Sequence, residues 1–285
     1  MKSAMVFKSV PLALCSLLAA GAWSPAFAQS TTPAESVLND KFVLDAGMFI
    51  ANFQMKARLD GTSSTNPEYD FGKDFGGDDS NATRYRLDGL WRITPKHHLR
   101  IMYFDNTKTA ARNLDKDIVW GGVTYHAGAH VELETKQNII EFAYEWAFLR
   151  EPTYEVAGTF GIHYQDLSLK LSGNATAGTG TTVTFTSKSS SVPVPMPVIG
   201  IRAGWAVSPN WYLDVNGQIF KAKVGDYDGT IWDMRANATY MFNKTWGAGL
   251  GYDIFATSVD VSKNDFHGKL RFGYSGFQAF LKMGF

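Results

Sequence analysis

Apolar and polar residues alternate with a period of two through most of this chain, and this alternation limits the possible folds more than any other feature. In residues 47–59, GMFIANFQMKARL, the odd positions from Phe49 onward are apolar and the even positions from Asn52 onward are polar. In residues 83–93, TRYRLDGLWRI, Trp91 and its alternate neighbours oppose arginines. Such a pattern indicates β-strands with one apolar and one polar face.

The same alternation recurs along the rest of the chain. The further segments are 98–112, 131–149, 153–171, 194–207, 211–224, 229–242, 246–261 and 266–285. With the first two segments they make ten predicted strands, and this even number places both chain ends on the same side. A count of eight or twelve stays open, because residues 118–132 can also form an extra hairpin.

Short and long connections alternate between these strands. The short turns are 94–98, 149–153, 208–210 and 243–245, and apolar or aromatic residues flank them. The long connections are 61–81, 113–130 and 172–193, with two smaller ones at 225–228 and 262–265. Short turns at one end, long loops at the other and aromatic residues near the strand ends are typical of a transmembrane, antiparallel, up-and-down β-barrel. The sequence therefore predicts this all-β fold.

The polar face carries many charges, which distinguishes this chain from a secreted soluble sandwich or a lipocalin-like barrel. Those folds also alternate, but they bury the apolar face, and buried unpaired charge is costly. We therefore expect Phe49, Trp91 and Leu281 to face lipid while the charges face a lumen. The predicted lumen charges are Arg84, Arg86, Asp88, Arg92, Arg100, Glu141, Glu145, Glu155, Arg202, Asp214, Asp233 and Arg235.

These lumen charges have two possible consequences for function. The arginines of the second strand are expected to pair across the bore with Glu141, Glu145 and Glu155. A ten-stranded barrel is only slightly wider than the eight-stranded kind, whose interior side chains already fill it. A structural plug is therefore favoured over a selective conduit, although the sequence leaves both open.

The first 28 residues have the three-part pattern of a secretory signal peptide. Lys2 and Lys8 precede an apolar stretch, and the small residues of AFA end at Ala28. We expect cleavage near Ala28, a periplasmic N-terminal segment at 29–41 and the barrel at 42–285. Cys15, the single cysteine, lies in the leader, so the remaining chain offers no thiol for a disulfide or a metal site.

Charge and hydropathy exclude two other classes of protein. Lys plus Arg equals Asp plus Glu at 27 each, so the chain lacks the basic surplus that nucleic-acid binding requires. After the leader, no stretch approaches the ~18 consecutive apolar residues of a transmembrane helix.

The last strand carries a more specific pattern, with apolar residues on one face and an aromatic residue at the final position. Its members are Phe277, Ala279, Leu281, Met283 and Phe285. This end resembles the C-terminal assembly signature of Gram-negative outer-membrane barrels, and the layout of the chain is similar to small proteins of the OmpA/OmpW kind. The resemblance implies residence in the outer membrane as a monomer. It also implies contact with lipid and lipopolysaccharide, and recognition by periplasmic chaperones and the barrel-assembly machinery.

This resemblance leaves the activity open. The first hypothesis is a structural barrel or a narrow channel for small solutes. The alternative is a surface receptor or adhesin that acts through 61–81, 113–130 and 172–193. The third is a barrel-embedded hydrolase. Omptin-type proteases use Asp and His near the outer rim, and Asp78 and Asp79 are adjacent here. The histidines expected towards the loop side are His126, His130, His163 and His267. No segment reproduces an omptin motif, so we expect no enzymatic activity.

Other candidate sites are weaker. The first loop carries four acids that form a weak candidate for a divalent cation: Asp70, Asp74, Asp78 and Asp79. Their spacing does not fit an EF-hand, so a solvated acidic loop is favoured and no metal is expected. His97 and His98 are expected to be polar anchors at the membrane interface. No cofactor is expected, because GAGLGYD at 247–253 has Tyr252 where a dinucleotide loop needs its third glycine. Its glycines are expected to make room for large neighbours inside the barrel.

Overall fold

A computed structural model describes residues 31–61, 68–70, 74, 82–114, 117–120, 123–177, 181–186, 190–262 and 267–285. The expected signal peptide, Asp78 and Asp79 lie outside these residues. The elements are the helix α1 (Pro33–Asn39) and the strands β1 (Phe42–Gly61), β2 (Tyr69–Asp70), β3 (Ala82–Arg92), β4 (His97–Asn113), β5 (Ile118–Trp120), β6 (Val123–Tyr125), β7 (His130–Arg150), β8 (Tyr154–Ala177), β9 (Thr181–Thr186), β10 (Ser190–Ala206), β11 (Trp211–Val224), β12 (Tyr227–Met241), β13 (Trp246–Ser262) and β14 (His267–Gly284). The described part of the chain holds no helix with the length and hydropathy of a membrane span.

Ten of these strands form a closed antiparallel barrel, which confirms the predicted fold. Each long strand pairs with the next one along the chain, from β1 through β3, β4, β7, β8 and β10 to β14. The barrel closes where β14 pairs with β1, from Val43 opposite Gly284 up to Gly61 opposite His267. Residues 118–125 do form a hairpin, as the sequence allowed, but β5 and β6 pair only with each other. The barrel wall therefore has ten strands.

A belt of exposed apolar side chains surrounds the half of the barrel next to the short turns. On β13 the belt extends from Trp246 to Ile254, and on β14 it extends from Phe277 to Phe285. About nine residues per strand, at a rise of ~3.3 Å and a tilt of ~40°, give a belt roughly 23 Å tall, close to the ~25 Å band of outer-membrane barrels. Trp91 belongs to this belt, as predicted.

Beyond the belt, towards the long-loop end, the two faces exchange character. Outward side chains such as Thr107, Lys136 and Lys221 are polar and exposed, while large apolar side chains fill the interior. We call these buried residues the aromatic cluster. Its members are Phe49, Phe53, Met102, Phe104, Ile139, Met196, Val198, Ile231, Phe255, Val259, Phe272 and Tyr274.

The first strand shows where the sequence-based assignment of faces was wrong. Phe49 was expected to face lipid, but it lies in the aromatic cluster with none of its surface exposed, whereas Met48 is 50% exposed. The reason is that β1 carries apolar residues on both faces up to Ile50, so alternation alone does not identify the outer face. Phe53 also faces the lumen, because at its level the outer face of β1 is already above the belt.

Much of the region predicted as long loops is strand. Residues 172–193 were expected to be a loop, but β8 continues to Ala177, β9 pairs back onto it, and β10 begins at Ser190. The segment TTVTFT at 181–186 explains the error. Its β-branched and aromatic residues favour extended backbone, although the Ser, Thr and Gly around it are typical of loops. The barrel therefore extends well above its apolar belt.

One seam in the wall is only partly paired. β10 pairs with β8 from Ser190 to Trp205, but it pairs with β11 only from Ile199 onward. Upstream of Ile199, alternate positions of β10 are proline: Pro193, Pro195 and Pro197. Proline has no backbone N–H, so the N–H groups that donate to β8 belong to the residues between the prolines. The positions of the prolines are those whose N–H groups would point towards β11, and no donor is present there.

Candidate functional site

The helix α1 lies at the short-turn end of the barrel. Thr32 and Glu35 form a capping box and Pro33 occupies the first turn, which explains why the helix begins there. Its inner face packs apolar side chains against the barrel end. The residues of this contact are Ala34, Val37, Leu38, Ala206, Tyr212 and Met241. The sequence predicts a periplasmic segment in this stretch, and the helix was not predicted.

Hydrogen bonds hold α1 against the strand ends. The Ala34 amide donates to the Pro209 carbonyl at 2.9 Å, and Ser36 Oγ donates to the Lys244 carbonyl at 2.7 Å. Arg150 Nη2 donates to the Leu38 carbonyl at 2.7 Å. These contacts reach three different parts of the rim, so the helix lies across this end of the lumen.

The segment after α1 is also fixed to the barrel. Arg92 Nη1 donates to the Asp40 carbonyl at 2.7 Å, so this predicted lumen arginine holds the entry to β1. A side chain at Gly284 would overlap the Asp40 carboxylate, and glycine leaves the necessary space. Burial raises the pKa of Asp40 to about 6, against an opposing effect of Arg92. This carboxyl group therefore titrates in the mildly acidic range.

Two groups of ion pairs occupy the lumen above α1. In the first, Arg86 Nε lies 2.8 Å from Asp88 Oδ2, Arg86 Nη1 also pairs with Asp253, and Arg235 Nη1 lies 2.8 Å from Asp88 Oδ1. All four residues are buried or nearly so. Arginine forks shared between carboxylates neutralise both charges inside the barrel.

The second group is centred on Arg202. Its Nε lies 2.7 Å from Glu145 Oε2, and its Nη2 pairs with Glu155. Arg100 Nε lies 3.4 Å from Glu145 Oε1, and Arg150 Nη1 lies 2.8 Å from Glu155 Oε2. Both glutamates are fully buried, and each has two arginine partners.

The predicted pairing of second-strand arginines with the glutamates is wrong. Arg86 pairs with aspartates, while Glu145 on β7 and Glu155 on β8 both pair with Arg202 on β10. Glu155 faces Gly204 in the β8 and β10 register, which places it diagonally next to Arg202. Barrel strands tilt, so the partner of a lumen residue depends on register and stagger, which alternation does not reveal.

The remaining predicted lumen residues lie in different surroundings. Arg84 lies above the ion pairs, 5.9 Å from the Phe53 ring, and donates to the Thr107 carbonyl at 2.7 Å. Asp214 accepts a hydrogen bond from Asn237 Nδ2 at 2.9 Å. A further ion pair, which was not predicted, joins Lys282 Nζ and Asp45 Oδ2 at 2.7 Å. These two residues face each other in the β1 and β14 register, so the pairing of the two end strands predicts this contact.

Glu141 and Asp233 differ from the buried acids of the two ion-pair groups. Glu141 Oε2 lies 3.6 Å from His163 Nε2, and Asp233 lies close to both residues. Within the described residues, neither acid has an Arg or Lys partner within ion-pair distance. His163 was predicted towards the loop side, but it is fully buried in the lumen.

The other candidate residues do not assemble an omptin-like centre among the described ones. His126 pairs with Asp117 at 3.1 Å on the exposed hairpin, where the Ala127 amide and His126 lower the pKa of Asp117. His130 Nδ1 lies 2.9 Å from Asn113 Oδ1. The side chain of His267 lies outside the part of the chain that the structure describes.

In the acidic first loop, the two described acids take part in local contacts. The Asp70 amide donates to Asp74 Oδ2 at 2.8 Å, and Asp70 lies 3.4 Å from Lys56 Nζ. The weak candidate cation site in this loop stays a prediction.

His98 corrects a second prediction. His97 is exposed beside Tyr144, as expected for an interfacial anchor, but His98 is fully buried near Glu145 and Glu155. The physical reason is that adjacent residues of a strand point to opposite faces. The glycines of β13 do make room inside the barrel, since side chains at Gly249 and Gly251 would overlap Phe280 and Asn237.

Little free space remains in the lumen. A cavity of about 40 Å³ lies between α1 and the ion pairs, and it is lined by Val37, Asp45, Arg92, Arg100, Tyr212 and Lys282 among others. A water molecule needs ~10–15 Å³ of such space, so the cavity has room for only a few waters. Above it, the aromatic cluster occupies the interior.

Comparison with known proteins supports the fold. No family model and no curated protein matches the chain. The outer membrane protease OmpT of Escherichia coli superposes with a TM-score of 0.53 at 12% identity, over 86% of this chain and 96% of that one. The toluene transporter TbuX of Ralstonia pickettii superposes with a TM-score of 0.36 at 9% identity, over 89% of this chain and 92% of that one. The attachment invasion locus protein Ail of Yersinia pestis superposes with a TM-score of 0.29 at 7% identity, over 84% of this chain and 98% of that one. The likeness to OmpT shows that this chain has the fold of an outer-membrane β-barrel.

Proposed function

We propose that this protein is a closed, structural β-barrel of a Gram-negative outer membrane. The observation that carries the proposal is the filled lumen, which α1, the ion pairs and the aromatic cluster occupy in succession. Localisation is supported by the apolar belt, the fold and the pattern of residues 1–28, whose cleavage near Ala28 is part of the proposal. The partners that we propose are outer-membrane lipid and lipopolysaccharide, and chaperones and the assembly machinery during biogenesis.

The proposal favours a structural barrel over a channel for a physical reason. A hydrated ion needs a continuous aqueous path, but the interior here consists of paired charges at one level and of phenyl rings at the next. The rings pack closely, with Phe49 and Tyr274 centroids 5.2 Å apart and Phe255 and Tyr274 centroids 5.0 Å apart. Passage would require repacking of this layer, and a close-packed interior resists such repacking.

Planar-bilayer recording tests this closed state. The chain without residues 1–28, refolded in detergent and inserted into bilayers, is expected to show no single-channel steps. The folded fraction of the same sample, measured by heat-dependent gel migration, serves as the control for insertion of unfolded protein. Discrete steps that scale with the amount of folded protein would contradict the proposal.

We also infer that the protein is not an enzyme, so the same sample should leave peptide and phospholipid substrates intact.

A second candidate function is a surface receptor or adhesin. The observation that favours it is the height of the barrel: the belt on β8 ends at Tyr164, while the strand continues to Ala177. The β5 and β6 hairpin is part of this upper region, and its base is held by the Ala127 amide bond to Asp117 Oδ1 at 2.8 Å. Such an ordered projection offers a binding surface outside the lipid.

Replacement of residues 117–127 by a short Gly-Ser turn tests the receptor hypothesis. The hairpin pairs with no barrel strand, so the barrel is expected to fold normally. Adherence of cells displaying the protein to arrays of glycans and matrix proteins is expected to fall. Unchanged adherence of this variant and of a matched variant with 178–189 shortened would remove the hypothesis.

A further inference from the structure

Three chemically suitable side chains converge in the lumen, on β7, β8 and β12. Glu141 and His163 are fully buried, and Asp233 is 1% exposed. One nitrogen or oxygen atom from each residue lies within 4.8 Å of those of the other two. Glu141 faces His163 directly in the register of β7 and β8. The fold therefore brings one imidazole and two carboxylates to one point.

Each of these side chains has a buried polar atom without a hydrogen-bond partner. These atoms are Glu141 Oε2, Asp233 Oδ1 and His163 Nδ1, whereas the other ring nitrogen of His163, Nε2, faces Glu141 and contacts Gln218. A buried carboxylate without a cation costs several kcal/mol, and other acids of the lumen avoid this cost through arginine or lysine. Within the described residues, neither Glu141 nor Asp233 has such a partner within ion-pair distance, and the arginines that act on Asp233 from farther away, Arg86 and Arg235, already pair with Asp88 or Asp253.

Neighbouring side chains hold the three residues in position. Gln218 Nε2 donates to Glu141 Oε1 at 2.6 Å, which leaves Oε2 directed towards His163 Nε2. Gln218 Oε1 lies 2.9 Å from His163 Nε2, and the imidazole stacks on the Phe255 ring at 6.1 Å and 14°. Contacts of this kind orient the ligands of protein metal sites.

We propose that Glu141, His163 and Asp233 bind a divalent transition-metal ion, with Zn²⁺ as the best match. Imidazole nitrogen and carboxylate oxygen are both zinc ligands, and the charge of the ion balances the two carboxylates. Ligand atoms of a tetrahedral zinc site lie about 3.3–3.4 Å apart, given metal–ligand distances of ~2.0–2.1 Å. The 3.6 Å between His163 Nε2 and Glu141 Oε2 is close to that spacing. Gln218 Oε1 is the nearest candidate for a fourth ligand.

The position of the site indicates a structural role. The aromatic cluster covers it on the loop side, where Phe255 stacks on the imidazole and Met102 faces Glu141 in the β4 and β7 register. A bound ion would connect β7 and β8 to β12 across the lumen, and would neutralise acids that otherwise repel each other. Because the lumen is closed on both sides, the ion would enter while the barrel folds.

Metal analysis after refolding tests the proposal. The untagged chain without residues 1–28 is refolded in detergent with Zn²⁺ or with a chelator, and then dialysed against chelator. The zinc-refolded sample is expected to retain about one Zn²⁺ per folded chain. Refolding with Co²⁺ is expected to give visible absorption bands of protein-bound Co²⁺. Resistance to urea is expected to be greater in the zinc-refolded sample.

Variants separate this site from adventitious binding. E141Q/D233N keeps the shapes of both side chains and is expected to lower retained Zn²⁺ at least tenfold, and H163Q is expected to do the same. The matched control H126Q/D117N removes an exposed His and Asp pair and is expected to keep the full amount. The proposal is overturned if the unmodified chain retains neither Zn²⁺ nor Co²⁺. It is also overturned if folded E141Q/D233N retains as much Zn²⁺ as the unmodified chain. In the first case a shared proton would neutralise the two acids instead.

Discussion

Substitution of Arg202 by Met is expected to destabilise the barrel by about 3–5 kcal/mol, because it leaves two buried carboxylates without their shared partner. Arg202 pairs with both Glu145 and Glu155, and all three side chains are buried. Methionine fills a volume similar to that of arginine, so the loss of stability is due to the missing charge and not to a cavity. Urea unfolding in lipid vesicles, followed by tryptophan fluorescence, measures the free energy of unfolding.

Two further variants show whether the effect is due to burial. Arg271 pairs with Glu68 at 2.9 Å, but its side chain is 42% exposed. The same change there, R271M, is expected to cost less than about 1 kcal/mol, since exposed ion pairs contribute little. R202M/E145Q/E155Q also neutralises the two carboxylates that lose Arg202, but it leaves Arg100 and Arg150 without their glutamates, so it is expected to recover only part of the loss. Equal effects of R202M and R271M would show that the Arg202 ion pairs are not desolvated.

Substitution of Leu250 by Arg is expected to cost about 2–4 kcal/mol in a bilayer, because it places a charge at the middle of the apolar belt. Leu250 is 67% exposed and lies halfway between Trp246 and Ile254 on the outer face of β13. Equilibrium unfolding in vesicles measures the loss.

Ser258 provides the matched control for Leu250. It lies on the outer face of the same strand, above the belt, so S258R is expected to change the free energy of unfolding by less than about 1 kcal/mol. If L250R proves as mild as S258R, the apolar side chains of β13 do not face hydrocarbon, and the transmembrane interpretation is wrong.

The sequence was sufficient to predict the barrel but not its interior. Alternation, turn length and inward charge are local or compositional properties, and together they identify ten strands in a closed transmembrane sheet. The lipid-facing side of β1 was not predictable, because Met48, Phe49 and Ile50 are apolar in succession. The strands also rise above the membrane, where Phe53 faces inward as it would in the core of a soluble barrel.

The candidate metal site depends on register, which explains why the sequence did not reveal it. Glu141 was predicted as a lumen charge and His163 as a histidine towards the loop side. Their pairing depends on the position of the turn between β7 and β8. A bulge between Ala147 and Leu149 shifts that register by one residue, and Phe148 and Leu149 are both exposed beside it. A one-residue shift reverses which side chains face the lumen. Asp233 comes from a third strand, whose position depends on the stagger of the closed barrel.

The prolines of β10 bear on how the protein meets other chains. An exposed strand edge normally acts as a template onto which a second polypeptide can add by β-augmentation, which is one route to domain swapping and aggregation. From Pro193 to Pro197 the residues whose N–H groups would point to this edge are all proline, so an incoming strand finds only acceptors there and cannot complete a ladder. This built-in protection is a physical reason to expect the monomeric state that the resemblance to outer-membrane barrels implies.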